Sequence, residues 1–157
     1  LAGVASLPDG QGQHIYLARK ATRTKKLLKN LNEIEAIAVE HGFNVIHPED
    51  LSFAEQVAMA RHATHLLGPE GSNMMVSFFA GKGSRIACLN SPHTFPLADL
   101  NSIHSGRGHH YTILTGPFVE QTPDPDWLFW SDYRIEASEF RIFLDDWLAA
   151  ESKAPSA

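Results

Sequence analysis

Apolar and polar positions along this chain follow two periods in turn, and the switches between them divide it into strands and helices. HIYLAR (His14–Arg19) is β-rich and ends in a charge, which predicts a first strand. A basic connection, KATRTKKLLKN, leads to Leu31, Ile34, Ile37 and Ala38 at helical spacing, with Gly42 placed as a C-cap. FNVIHP (Phe43–Pro48) predicts a second strand. In LSFAEQVAMARHA, Ser52 and Glu55 stand at capping-box spacing ahead of an apolar face of Phe53, Val57 and Ala60. THLLGP predicts a third strand, closed by Gly68 and Pro69, and SNMMVSFFA a short apolar helix ended by Gly81. SRIACLN (Ser84–Asn90) predicts a fourth strand and, after a polar stretch, HYTILTG (His110–Gly116) a fifth. PFVEQTPDPD reads as a loop. SEFRIFLDDWLAA reads as a final amphipathic helix with Phe140, Phe143, Leu144, Trp147 and Leu148 on one face.

Strand and helix alternate throughout, which predicts a Rossmann-like, three-layer α/β/α domain with a mostly parallel sheet and right-handed connections. The expected domain spans residues 14–150, with a linker over 1–13 and a disordered tail over 151–157. Ligands of such sheets bind beyond the carboxyl ends of the strands. Arg19, the His47–Ser52 loop and the Gly68–Asn73 turn stand at three such ends and are expected to meet in one crevice.

Composition narrows the picture. A length of 157 residues suits one domain with a real core. A formal net charge of -5 argues against broad nucleic-acid binding. Cys88 is the sole cysteine, so a disulfide framework is excluded and a reducing compartment is expected. No apolar run approaches the roughly 20 residues a membrane span needs, and no signal peptide is visible. The chain starts at Leu1 and reads as one domain of a longer protein. A cytoplasmic location is expected, with any membrane association supplied by the parent.

The stretch LLGPEGSNMMVSFFAGKGSRIACL carries the most chemistry. A strand that passes through a glycine turn into a helix offers free N–H groups and a partial positive charge to an anion. Gly71 lets a ligand approach the main chain, and Ser72 can cap the helix or bond a phosphate oxygen. The turn is neither G-x-G-x-x-G nor a P-loop, so by pattern alone a simple capped turn is an equal reading. Arg19 strengthens the anion reading, because a guanidinium suits phosphate oxygens. Arg23, Lys25 and Lys26 are expected to form a solvated basic loop.

Five blocks, in order and at matching spacing, resemble the donor-binding half of family 61 glycosyltransferases. They are Ala18-Arg19, Asn32-Glu33, Gly42-Phe43, Pro48 to Gln56, and Gly68 to Ser72. The resemblance covers about Ile15 to Leu89, with fainter echoes in HYTILTG and DYRIEASEF. It implies a GT-B enzyme of two Rossmann-like domains, the second binding a nucleotide-sugar donor, with a UDP-sugar favoured. Such enzymes are inverting and metal-independent, so no cofactor is expected, and they act in polysaccharide or glycoconjugate synthesis. By carry-over, Arg19 binds the donor diphosphate. Gly68, Pro69, Glu70, Gly71, Ser72 and Asn73 line the same site, and the Pro48–Ser52 loop, with Ser52, lies near the base.

Glu70 departs from the family, which usually has histidine there. It could accept hydrogen bonds from ribose or sugar hydroxyls, pair with Arg19 in the empty site, or stabilise the helix dipole. The glycan acceptor and the general base are expected on a missing N-terminal domain. No catalytic residue is therefore named, and this piece alone is expected to be inactive. The alternative is a non-catalytic nucleotide-binding or assembly module, which Glu70 in an anion turn favours. Nicotinamide binding is a poor third without the glycine fingerprint.

The remaining signals are weaker. His104, His109 and His110 cluster, but without further ligands they read as a polar loop rather than a metal site. Met74, Met75, Phe78 and Phe79 read as helix core. Tyr111 and His110 could approach the donor sugar or be core and edge residues. Asp124, Asp126 and Asp132 read as solvated loop carboxylates.

Overall fold

The computed structural model describes residues 13–20, 28–92, 98–119 and 131–150. Residues 1–12 of the expected linker, the tail, Arg23, Lys25, Lys26, Asp124 and Asp126 lie outside the described residues, whereas Gln13, assigned to the linker, belongs to the first strand. Strands β1 (Gln13–Leu17), β2 (Asn44–Ile46), β3 (Ala63–Pro69), β4 (Arg85–Asn90) and β5 (His110–Thr115) form one sheet in the order β2-β1-β3-β4-β5. Every pairing is parallel. Helices α1 (Leu31–Glu40), α2 (Phe53–His62), α3 (Ala98–Gly106) and α4 (Ala137–Ala149) accompany it, with a 3-10 helix over Ser72–Phe79.

Alternation along the strands builds two cores. Tyr16, Leu67, Ala87 and Leu89 face α1 and α4, meeting Ile34, Ile37, Phe140, Leu144 and Trp147. Their neighbours Ile15, Leu17, Leu66, Ile86 and Cys88 face the other way, onto Ala60 of α2 and Met74 and Val76 of the 3-10 helix. A strand buried on both faces reads as a continuous apolar run, which is why HIYLA and THLLGP stood out in the sequence.

Three features differ from expectation. The segment after the third strand is 3-10 rather than α-helical, with Met74 N donating to Gly71 O at 3.0 Å, and it ends at Phe79 with Ala80 as its C-cap. Helix α3 was not foreseen, since ADLNSIHSG places only Leu100 and Ile103 at helical spacing. Phe53 is 67% exposed and packs edge-on against Phe79 instead of joining a core.

The capping box is present as expected: Ser52 Oγ accepts from Glu55 N at 3.3 Å, and Ser52 N donates to Glu55 Oε2 at 2.8 Å. Losing it in Ser52→Ala is expected to cost about 1 kcal/mol, read as a lower urea midpoint at unchanged slope. No helix among the described residues is long and apolar enough to cross a membrane.

Candidate functional site

The strand order places a topological switch point between β1 and β3, because the chain leaves β1 towards β2 and returns on its other side. Arg19 lies just past the end of β1, and the Gly68–Asn73 turn closes β3. Arg19 Nη1 donates to the main-chain carbonyl of Glu70 at 2.9 Å. The two residues thus meet, as the sequence suggested, through the backbone carbonyl of Glu70.

Gly71 makes that contact possible in two ways. Its φ of 154° and ψ of -175° belong to a region that only glycine occupies readily. A Cβ there would also stand 2.8 Å from Arg19 Nη1 and 2.9 Å from Asn73 Oδ1. Gly68 serves a second close approach: a Cβ would lie 2.5 Å from the carbonyl oxygen of Leu17. Asn73 is buried and braces this junction, its Nδ2 donating to Leu17 O at 3.0 Å and Pro69 O at 3.2 Å. The main-chain N–H groups of Gly71, Ser72 and Asn73 have no acceptor among the described residues, as expected for the open first turn of a helix. Arg19 and these three N–H groups thus belong to one turn at the end of the central strands.

The His47–Ser52 loop approaches from the other side. Lys20 N donates to Glu49 Oε1 at 3.1 Å, and Lys20 Nζ pairs with Asp50. Ser52 itself is exposed and engaged with Glu55, so it does not join the cluster around Arg19 by any contact of its own. Glu70, Gly71 and Ser72 form one wall of a cavity of about 250 Å³ that extends towards α3 and β5.

Met74, Met75, Phe78 and Leu100 give that cavity an apolar lining, and Ser77, Cys88, His104 and Tyr111 give it polar atoms. Met74 is buried as foreseen, whereas Met75 and Phe79 are exposed. The polar-loop expectation fails for His104 and His109, which are both buried. Burial lowers their basicity, that of His104 to about 4; the charges of His109 and Arg107 add to the effect at His104, while at His109 the hydrogen bond to Ala80 opposes it and Arg107 adds to it. Burial likewise raises Tyr111, which hydrogen-bonds Cys88 and feels the negative charge of Glu70.

Tyr133 was missed altogether. It is buried beneath the turn, its hydroxyl donating to Leu89 O at 2.9 Å, while Glu70 N donates to that same carbonyl at 2.8 Å. Burial raises its pKa well above the usual value; the Cys88 and Glu70 charges add to this and Arg19 opposes it. The DYRIEASEF echo was the one signal pointing to it. Asp132 pairs with Lys29 at 3.2 Å. Among the described residues no group of three or more His, Cys, Asp or Glu is placed to hold a metal ion.

An all-parallel sheet in this strand order with flanking helices defines the Rossmann/flavodoxin-like α/β class. Residues 5–87, just over half of the chain, match the family model described as glycosyltransferase 61, and the chain belongs to that family. No curated protein sequence matches it.

Among solved structures it is similar to the flavodoxin-like domain of a Synechococcus protein, at 13% identity and a TM-score of 0.50, covering 87% of this chain and 99% of that one. It is also similar to diflavin flavoprotein A3 from a Nostoc species, at 10% identity and a TM-score of 0.56, covering 91% and 97% of the two chains. At such identities these likenesses establish the fold alone.

Proposed function

We propose that this domain binds the nucleotide-sugar donor, a UDP-sugar, of an inverting glycosyltransferase that builds polysaccharide or glycoconjugate. The observation that carries this reading is the seat at the switch point: the Arg19 guanidinium held on the Glu70 carbonyl, beside three main-chain N–H groups that have no acceptor among the described residues. A diphosphate placed there meets a fixed positive charge and oriented dipoles. In the reaction an acceptor hydroxyl attacks the anomeric carbon, the bond from that carbon to the diphosphate oxygen breaks, and configuration inverts. Negative charge grows on the departing diphosphate, where Arg19 and the N–H groups stabilise it without a metal ion. The base that takes the hydroxyl proton, and the acceptor site, belong to another domain of the parent enzyme. Glu70, on the cavity wall beside the seat, accepts hydrogen bonds from ribose hydroxyls.

Calorimetric titration with UDP and UDP-sugars, beside Arg19→Ala, tests this. A lost charge-assisted hydrogen bond is expected to weaken UDP binding about ten- to a hundredfold. Equal affinities of the two proteins for UDP would sink the reading. The second reading, a non-catalytic nucleotide-binding or assembly module, is favoured by the Glu70 carboxylate beside an anion seat. It predicts UDP binding without sugar transfer even in the full parent protein.

A further inference from the structure

The cavity behind the turn contains a chain of hydrogen bonds whose direction can be worked out. His109 Nε2 stands 3.1 Å from the carbonyl oxygen of Ala80, and His109 Nδ1 stands 3.0 Å from His104 Nδ1. A carbonyl only accepts, so His109 carries its proton on Nε2. Neutral His109 then has a lone pair on Nδ1, and His104 must donate to it from its own Nδ1. This leaves His104 with a lone pair on Nε2. Burial keeps both imidazoles neutral near pH 7, so the arrangement persists there.

Aromatic neighbours hold the His104 ring in place. Tyr111 stacks on it with centroids 4.6 Å apart and planes within 10°, and Phe78 tilts against it at 5.1 Å. His104, Tyr111 and Phe78 all line the cavity, together with Glu70 from the turn. A ligand with its phosphates on Arg19 would have Glu70 beside it and, further along the same cavity, the His104 ring among aromatic side chains.

We propose that this cavity takes the base of the bound nucleotide, and that His104 Nε2 accepts a hydrogen bond from a ring N–H, selecting a uracil-type base. This rests on the donor-site reading and refines it. Cytosine would bring an unprotonated ring nitrogen, lone pair against lone pair. His109 is a positioning residue, since it sets which nitrogen of His104 bears the proton. The base then lies on the β4–β5 side of the turn, not beside the Pro48–Ser52 loop, where the Ser52 hydroxyl and amide are already engaged with Glu55.

The test is calorimetric titration of the chain with UDP, CDP and 3-methyluridine 5′-diphosphate, which lacks the ring N–H. The wild-type protein should bind UDP about tenfold or more tightly than either of the others, the cost of leaving the acceptor unmatched. His104→Phe, which keeps the stack and removes the lone pair, should bring the three affinities within about twofold of one another. The methylated ligand makes the same test without altering the protein, should that variant fail to fold. Equal wild-type affinities for all three overturn this inference, and the donor reading survives if Arg19→Ala still weakens each. Discrimination that persists while Arg19→Ala has no effect keeps the base pocket and overturns the diphosphate seat. A folded chain that binds none of the three overturns both.

Discussion

Gly68→Ala is expected to destabilise the protein by about 3 kcal/mol, the upper end for overpacking a filled interior. The added Cβ would meet the Leu17 carbonyl oxygen at 2.5 Å, Met74 Sδ at 3.1 Å and the Leu17 Cβ at 3.2 Å. The nearest of these is backbone, which has no rotamer by which to step aside. Gly116 looks worse on distance alone, since a Cβ there would stand 1.8 Å from Arg134 O. It lies beyond the end of an edge strand, however, where two segments can separate. Gly68 lies in β3, with β1 on one side and β4 on the other, and cannot move without disturbing both pairings. For a chain of this size the loss corresponds to a fall of roughly 10 °C in Tm. On the proposed donor reading, UDP affinity should fall too, because Arg19 lies just past the end of β1. A loss under about 1 kcal/mol would mean that β1 and β3 spread more easily than this packing implies.

Acid is expected to unfold the protein well before its carboxylates are all protonated. His65 and His104 are both buried, and burial, the largest cause in each case, depresses both to about 4 in the folded state. Nearby His14 and Arg85 reinforce the effect at His65. In the unfolded chain each takes up its proton near 6.5, so the unfolded state binds more protons between those values. Stability contributed by the neutral imidazoles is complete above about pH 6.5 and is lost as pH falls towards 4. Each group contributes about 3 kcal/mol over that interval, a large share of the 5–15 kcal/mol typical of a domain. Urea unfolding at pH 7, 6, 5 and 4 should show the midpoint falling steeply, and His65→Phe should flatten the fall. A midpoint unchanged from pH 7 to 5 would show that neither imidazole is held neutral by the fold.

Much of the architecture was legible because period and chemistry agreed. The five strands were visible as short apolar runs bounded by glycine, proline or charge, and the convergence of Arg19 with the Gly68 turn followed from their places at strand ends. What escaped had no local signal. Helix α3 has too few apolar residues to show a face, so its sequence reads as polar loop until β5 is present to pack against. His104 and His109 sit on opposite sides of a turn, and only that packing makes them a buried pair. Tyr133 is 44 residues from the carbonyl that it meets, Leu89. That Arg19 would reach the backbone of residue 70 depended on the glycine-only conformation of Gly71, which composition permits but does not dictate.

Asn73 gives the turn a property that matters for how such a seat can change over evolutionary time. Its buried amide holds the ends of β1 and β3 together, so the turn opens only when the central strand pair opens. The N–H groups of residues 71–73 are therefore ordered by the fold itself, and on the proposed donor reading binding loses nothing to ordering them. Amides of β1 and β3 should accordingly exchange with solvent on the timescale of global unfolding, bound or empty. A turn this rigid resists gradual reshaping, so on the proposed reading a change of ligand preference falls to the side chains at its lip.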